Sequence, residues 1–577
     1  MLDVLLRGGT VVDGSGAPGR VADLGIRDGR IAHITEPAAD EDVSEARTIV
    51  DATGLLITPG FVDPHTHYDA QLFWDPAASP SNVHGVTSVI AGNCGFTLAP
   101  IKPVDADYLR KMMAKVEGMP LPALETGLPW DWSTFGEYLA RLDQNLGVNA
   151  GFLVGHCALR RYVMGERSVG NEASAADVTA MVALLHESID AGGLGFSTTL
   201  SKTHNDGDGQ PVPSRWATHD EVLALCAAVA DHEGTTLEAI VDGCLDTFSD
   251  DEIELLARMS AQGVRPLNWN VLTVDSAVPE RIPRQLEASS RARELGGRVV
   301  ALTMPVQVPM NMSFGSYCAL FMIPGWTDVM NLPREERRER LRDPEVRAQL
   351  DADAKSPAAG VFRRLGDWHN YVLGDVYAPE NAGLKGLRVG DVARQRRQNA
   401  FDTLLDIVIA DDLRTILWPI PPDGNPESWA LRAEVWADGR AMLGGSDAGA
   451  HLDRMCGAPY PTRFIGDCLR GRRLVPVERA VQMLSDEPAR LFGLRERGRL
   501  EVGWHADVCV LDPETVGAEH ATLVEDLPGG TARLTAEAVG VRHVFVNGVE
   551  TVRDNRATGV LPGIVLRSGR DTETVLP

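Results

Sequence analysis

Two histidines one residue apart close the segment Pro59-Gly60-Phe61-Val62-Asp63-Pro64-His65-Thr66-His67. If the apolar run before them is a strand, His65 and His67 face the same way. Two imidazoles on one face can grip one metal ion, and neutral histidine is a common zinc ligand. Leu55-Leu56-Ile57-Thr58 reads as the buried strand that would carry them. A lone His-x-His is more simply a core or surface pair, so its weight depends on what other strands bring beside it.

Those strands alternate with helical segments. Apolar runs at 55–65, 86–92, 149–155, 193–197, 235–240, 264–270, 298–304 and 441–446 make eight. Between them Asp177 to Ala191 is a typical helix, with Met181, Leu184, Leu185 and Ile189 on one face and Gly192-Gly193 as a stop. Eight strand–helix units predict an α/β fold, a (β/α)8 TIM barrel. Both chain ends read instead as short strands with hairpin signals at Asp28-Gly29 and Asn547-Gly548. The expected organisation is a composite β-sandwich from 1–56 plus 490–577, a barrel from 57–304 plus 401–489, and an insertion between strands 7 and 8 at 305–400. The insertion holds a charged helix, Arg334 to Arg347, a solvated face, and Trp326 and Trp368, read as packing residues.

Chemistry in such a barrel sits at the C-terminal ends of its strands. The predicted ends carry His65 and His67, Cys94, His156, Ser197, Glu238, Asn268 or Asn270, Met304 and Asp447. His65, His67, Cys94 and Asp447 are all competent zinc ligands. The plainer readings are specific. Cys94 fits a small buried residue, His156 a core histidine bonded to backbone, and Glu238 a carboxylate paired with Lys202. The loop Thr203-His204-Asn205-Asp206-Gly207-Asp208-Gly209 is calcium-loop-like in composition but lacks the terminal Glu of that pattern. It is read as an active-site loop, with Lys202 and His204 as substrate-binding candidates.

Net charge −26 argues against non-specific binding to nucleic acid or to an anionic membrane. No apolar run approaches the ~20 residues that span a bilayer. The N-terminus has an acid, Asp3, where a signal peptide would be basic. Eight cysteines lack paired spacing, so no disulfide framework is expected and the expected compartment is the cytoplasm. A homo-oligomer is compatible with all of this.

The chain resembles the amidohydrolase superfamily, within the N-acyl-D-amino-acid deacylase (D-aminoacylase) family. The resemblance rests on Pro59 to His67, 85–100 (GVTSVIAGNCGFTLAP), 155–165 (GHCALRRYVMG), 193–199 (GLGFSTT), 442–449 (MLGGSDAG) and 489–512. It implies the same barrel with a composite sandwich. The family's metal-binding His-x-His pair falls on His65 and His67, its metal-bridging cysteine on Cys94 and its catalytic aspartate on Asp447. The family's later His-Pro-Arg segment, whose arginine holds the substrate carboxylate, is matched loosely by His451-Leu452-Asp453-Arg454. There is one departure. The family places metal-binding histidines at the ends of strands 5 and 6, where this chain has Glu238 and Asn268 or Asn270. Glu238 is expected to fill one vacancy; Asn270 is a poor zinc ligand.

The expected function is metal-dependent hydrolysis of a carbon–nitrogen amide bond in an N-acyl-D-amino acid or related small amide bearing a carboxylate. Zinc is the expected ion, one per chain, with another divalent transition metal as the alternative. Asp447 serves as general base and acid, His156 assists, and Arg454, His451, Lys202 and His204 bind substrate. The rivals are a cyclic amide or imide hydrolase, and a metal-free or non-hydrolytic barrel that has lost the strand 5 and 6 histidines.

Overall fold

The structure is a computed structural model that describes residues 1–36, 46–316 and 318–577. Residues 37–45, inside the expected N-terminal sandwich segment, and Tyr317, inside the expected insertion, lie outside the described residues. Two compact units are present. The larger comprises Met1–Val306, Glu427–Leu452 and Cys456–Pro577; the smaller comprises Gln307–Pro426 and Asp453–Met455.

In the larger unit, both chain ends contribute to one nine-stranded sheet. Leu2–Val11 pairs with Arg20–Arg27, Leu56–Pro59 and Ala46–Asp51, and Leu56–Pro59 pairs in turn with Val508–Leu511. The two hairpin signals sit in this sheet. Asp28 and Gly29 (φ 50° and 75°) join Arg20–Arg27 to Arg30–Thr35, and Asn547 and Gly548 (φ 48° and 79°) join Val541–Val546 to Val549–Arg553. Both pairs need left-handed backbone, which Asn, Asp and Gly tolerate best.

Eight further strand positions run parallel, in two sheets rather than one. Phe61–Asp63, Val86–Ala91 and Asn149–Phe152 form one sheet, completed by Val565–Leu566. Val154–Gly155, Gly195–Thr199, Thr236–Ile240, Pro266–Trp269, Arg298–Thr303 and Ala441–Leu443 form the other. Leu153 divides the third strand between them: its N–H donates to Ala91 O at 2.9 Å, while the next residue pairs with Phe196. At the other seam, a parallel bridge links Thr66 to Ala448. The single closed ladder expected from the sequence is thus interrupted at its third strand.

The expected first strand, 55–65, is two strands. Leu56–Pro59 belongs to the terminal sheet and Phe61–Asp63 to the parallel one. Gly60 makes the change of sheet: a Cβ there would stand 2.2 Å from the Thr87 side chain. The helix Ala175–Asp190 starts at a capping box in which Ser174 and Asp177 exchange side-chain and backbone hydrogen bonds. Met181, Leu185 and Ile189 are its buried face.

The smaller unit has its own apolar core. Trp326 and Trp368 are both buried, 5.8 Å apart between ring centroids, with Phe401 4.6 Å from Trp368. The expected helix from Arg334 to Arg347 is broken into Arg334–Arg340, which buries nothing, and Pro344–Lys355. Pro344 has no N–H to continue the first helix. All eight cysteines are buried and free. No helix among the described residues is long and apolar enough to cross a membrane.

Candidate metal centre

His65 and His67 lie just beyond Phe61–Asp63, not within it. Thr66 holds them in place. Its bridge to Ala448, with His67 N–H donating to Ala448 O at 2.7 Å and Thr66 N–H to Ile90 O at 2.9 Å, keeps this residue locally extended. The flanking imidazoles therefore converge, with ring centroids 5.4 Å apart.

Cys94 arrives on the tight turn after Val86–Ala91. Gly92, Cys94 and Gly95 all have positive φ (76°, 55° and 74°). At Gly92 a Cβ would meet Leu153 O at 2.4 Å, so only glycine fits. The turn is pinned to the next strands: Cys94 N–H donates to Glu238 Oε2 at 2.7 Å, and Gly95 N–H to Ser197 Oγ at 3.1 Å. Ser197 and Glu238 are register partners, as are Glu238 and Asn268, so these side chains form one row across three strands. Asp447 follows Ala441–Leu443 in a left-handed conformation (φ 53°). Asn270 Nδ2 donates to its Oδ1 at 3.0 Å. A fifth of the Asp447 side chain remains exposed, enough to meet a small molecule.

The ligand-capable atoms of His65, His67 and Cys94 all lie within 4.8 Å of one another, and all three residues are buried. Cys94 Sγ is 3.5 Å from His65 Nε2, and Asp447 Oδ1 is 3.3 Å from His65 Nε2 and 3.9 Å from His67 Nε2. Glu238 Oε1 is 4.0 Å from the sulfur. Ligands held 2.0–2.3 Å from a tetrahedral ion are separated from one another by about 3.3–3.8 Å. The contacts of Cys94 and Asp447 with His65 fall in that range, while those of Asp447 with His67 and of Glu238 with the sulfur are slightly longer. Nδ1 of both histidines is buried with no hydrogen-bond partner.

Burial drives the electrostatics. It holds His65 well below the usual imidazole range and His67 down to about 3, so both rings are neutral and open to coordination. Burial and then the charge of Asp447 push Glu238 well up; burial and then Asp63 bring Asp447 to about 7. The Cys94 thiol is pushed up by burial and by Glu238, Glu117 and Asp447. Each acid is thus opposed by burial and by other acids. A divalent cation reverses that balance and ionises them. The donor set of imidazole, thiolate and carboxylate suits zinc.

Other candidates fall in different places. His156 is not aimed at this cluster: Nδ1 meets Thr198 Oγ1 at 2.9 Å and Nε2 meets Glu221 Oε1 at 3.0 Å, while Arg160 closes on the same Glu221. Both ring nitrogens are spent, and the arrangement is that of a packed core histidine. Lys202 is not the counter-charge of Glu238. It is exposed, its N–H bonds Asp242 and its ammonium lies 4.0 Å from the same carboxylate. The reason is that Gly195–Thr199 ends before it and the loop turns outward. His204 stays near the centre. It shares a hydrogen bond with Thr199 Oγ1 at 2.8 Å, packs edge-on to Phe96, and is kept neutral by burial, which lowers its pKa to about 4. His451, also with positive φ (53°), lies with its Nε2 4.0 Å from Glu117 Oε2. Arg454 belongs to the smaller unit, where its guanidinium lies 3.2 Å from Asp453. Glu117, which no motif marks, also reaches the cluster. This buried acid follows the helix Ala106–Val116, and its Oε2 is 3.6 Å from His67 Nε2. Its only signal was an acid set among Val116, Gly118 and Met119, too slight to single out.

An amidohydrolase family profile matches residues 48–552. The D-aminoacylase of Alcaligenes xylosoxydans xylosoxydans is 30% identical, over 98% of this chain and 97% of its own. A solved D-aminoacylase, described with a binuclear metal centre, is 24% identical with a TM-score of 0.62, over 98% of this chain and 100% of its own. The N-acyl-D-glutamate deacylase of Bordetella bronchiseptica, solved with zinc and a phosphonate inhibitor, is 26% identical with a TM-score of 0.63, over the same shares.

Proposed function

We propose, for a chain that belongs to the amidohydrolase family, hydrolysis of an N-acyl-D-amino acid at a metal held by His65, His67, Cys94, Asp447 and Glu238. That it is a metal-dependent amidohydrolase follows from the family; the substrate, the ligand set and the division of labour are the proposal. The two parallel sheets, joined through the Thr66–Ala448 bridge, are read as one (β/α)8 barrel with the site at its C-terminal end.

The observation that carries the reading is the convergence of two neutral imidazoles, a thiol and two carboxylates from four separate strand ends. When bound, a divalent metal lowers the pKa of water towards neutrality and polarises the amide carbonyl. Asp447 takes the proton that water gives up and returns it to the departing nitrogen. Its partial exposure suits both halves of that task. Asn270 holds Oδ1 and so fixes the orientation of the carboxylate. His156, engaged on both nitrogens, is left out of proton transfer. His204 and His451 supply polar edges for the substrate.

The test is metal analysis of purified protein together with turnover of N-acetyl-D- and N-acetyl-L-amino acids and of cyclic imides. About one zinc or more per chain, with D-selective deacylation abolished by chelation, is expected. Turnover of cyclic imides alone moves the substrate to the rival class. Full activity in metal-free protein overturns the reading.

A further inference from the structure

Glu117 is a carboxylate with no part in the scheme above, yet it is placed against it. It ends the helix Ala106–Val116, on the long connection between the second and third parallel strands, and only 2% of it is exposed. Its Oε2 lies 3.6 Å from His67 Nε2 and 4.0 Å from His451 Nε2. Its backbone carbonyl accepts the N–H of His451, tying that turn to the same residue. The Cys94 thiol also feels its charge.

The atom on His67 decides the meaning. Glu117 faces Nε2, the same nitrogen that faces Asp447 Oδ1 at 3.9 Å, and not Nδ1, which is buried without a hydrogen-bond partner. A carboxylate that merely oriented a ligating imidazole would bond the nitrogen away from the metal. One that shares the metal-facing nitrogen at 3.6 Å is close enough for both atoms to meet one ion, since two N or O ligands each 2.0–2.2 Å from it stand no more than about 4.4 Å apart. A hydrogen bond would be shorter, at about 2.7–3.2 Å. Glu117 also brings charge. This chain has a glutamate and asparagines at the ends of its fifth and sixth strands, so a further anionic ligand compensates a donor set poor in histidine.

We propose that Glu117 is a ligand of the metal bound by His65, His67 and Asp447, and that it couples this metal to the His451 turn. The inference rests on the metal-centre reading given above. His451 is then the residue through which the state of the site reaches the loop that follows Asp447.

Cobalt(II) binding to the full-length protein tests this. Wild-type protein is compared with Glu117→Cys and Glu117→Gln by visible absorption and by chelator competition. The expected result is an added thiolate-to-cobalt charge-transfer band in E117C, and a loss of cobalt affinity of about 100-fold or more in E117Q, beyond the 10–100-fold typical of an outer partner. A wild-type cobalt spectrum in E117C together with an affinity loss in E117Q below 100-fold overturns the assignment. If E117C fails to fold, E117Q decides alone, with His451→Gln as the control expected to keep cobalt affinity within tenfold. Failure of the wild-type protein to bind cobalt would instead defeat the metal-centre reading, so the two failures are distinguishable.

Discussion

Asp447, partly exposed, and Glu238, buried, are both acids at strand ends, and their surroundings suit them to different tasks. Asp447 keeps a solvent-facing surface and a single side-chain donor on Oδ1, from Asn270. Its carboxylate is therefore free to exchange a proton. Asp447→Asn keeps the volume and removes the base, so kcat should fall about 10²–10⁴-fold with the fold intact; steady-state kinetics beside a circular dichroism spectrum check this. Glu238 is fully enclosed, with Oε2 held by the Cys94 N–H. Glu238→Gln should loosen the metal at least 10-fold by removing a charge beside Cys94. Equilibrium dialysis reads this directly, and an unchanged affinity would leave Glu238 as a structural pin for the Cys94 turn. Cys94, Asp447 and His451 share one further trait. All are non-glycine residues with φ near +55°, a conformation that is held only where surrounding contacts demand it.

At the scale of elements, the decisive features are the seams between sheets. Gly60 is where the chain leaves the terminal sheet and begins the parallel one that delivers His65. Gly60→Ala would drive a Cβ into Thr87, and overpacking of this kind costs about 1–3 kcal/mol. Chemical denaturation should show that loss, and Gly60→Ala combined with Thr87→Ser should recover part of it. A second seam runs through His84, at the end of the short helix Ser81–His84. Its Nδ1 meets Thr462 Oγ1 at 2.7 Å on the helix Tyr460–Arg470, and its Nε2 meets Ala536 O at 3.0 Å. Burial lowers its pKa to about 4 from an ordinary 6.5. The unfolded chain then takes up this proton first. The stability it carries is complete above pH 6.5 and is lost as pH falls from 6.5 towards 4, by about 3 kcal/mol in all. His84→Asn should flatten that stretch of the stability–pH curve. An unaltered curve would mean that His84 does not drive acid destabilisation.

At the scale of the whole molecule, each unit has hydrophobic packing of its own. The smaller unit packs around Trp326, Trp368 and Phe401, and the metal cluster belongs entirely to the larger one. Metal bound at 100 times its Kd stabilises the fold that holds it by about 2.7 kcal/mol. Chelation should therefore raise hydrogen exchange around 60–70, 90–97 and 441–451 while leaving the amides around Trp326 protected. Equal loss of protection in both units would show that they unfold as one.

Much of this was written in local sequence. The His-x-His pair, the turn around Cys94 and the glycine-rich approach to Asp447 are each short segments whose residue types declare their chemistry. The alternating strands and helices placed eight parallel strands to within a few residues, because buried strands have an apolar signature. The Asp28-Gly29 and Asn547-Gly548 hairpins were legible for the same local reason. What local sequence did not contain was any pairing across distance. It showed neither that 55–65 divides at Gly60 between two sheets, nor that the third strand divides at Leu153. His156 looked like a catalytic candidate until Thr198 and Glu221, 42 and 65 residues away, were seen to occupy both its nitrogens. Lys202 looked like the partner of Glu238 until the loop was seen to carry it into solvent. Glu117 had no motif at all, and only the folded connection that sets it beside His67 and His451 makes it part of the site. A residue's type and its neighbours in the chain specify what chemistry it can offer. Which atoms it faces is set by long-range packing, and here that packing chose the members of the site.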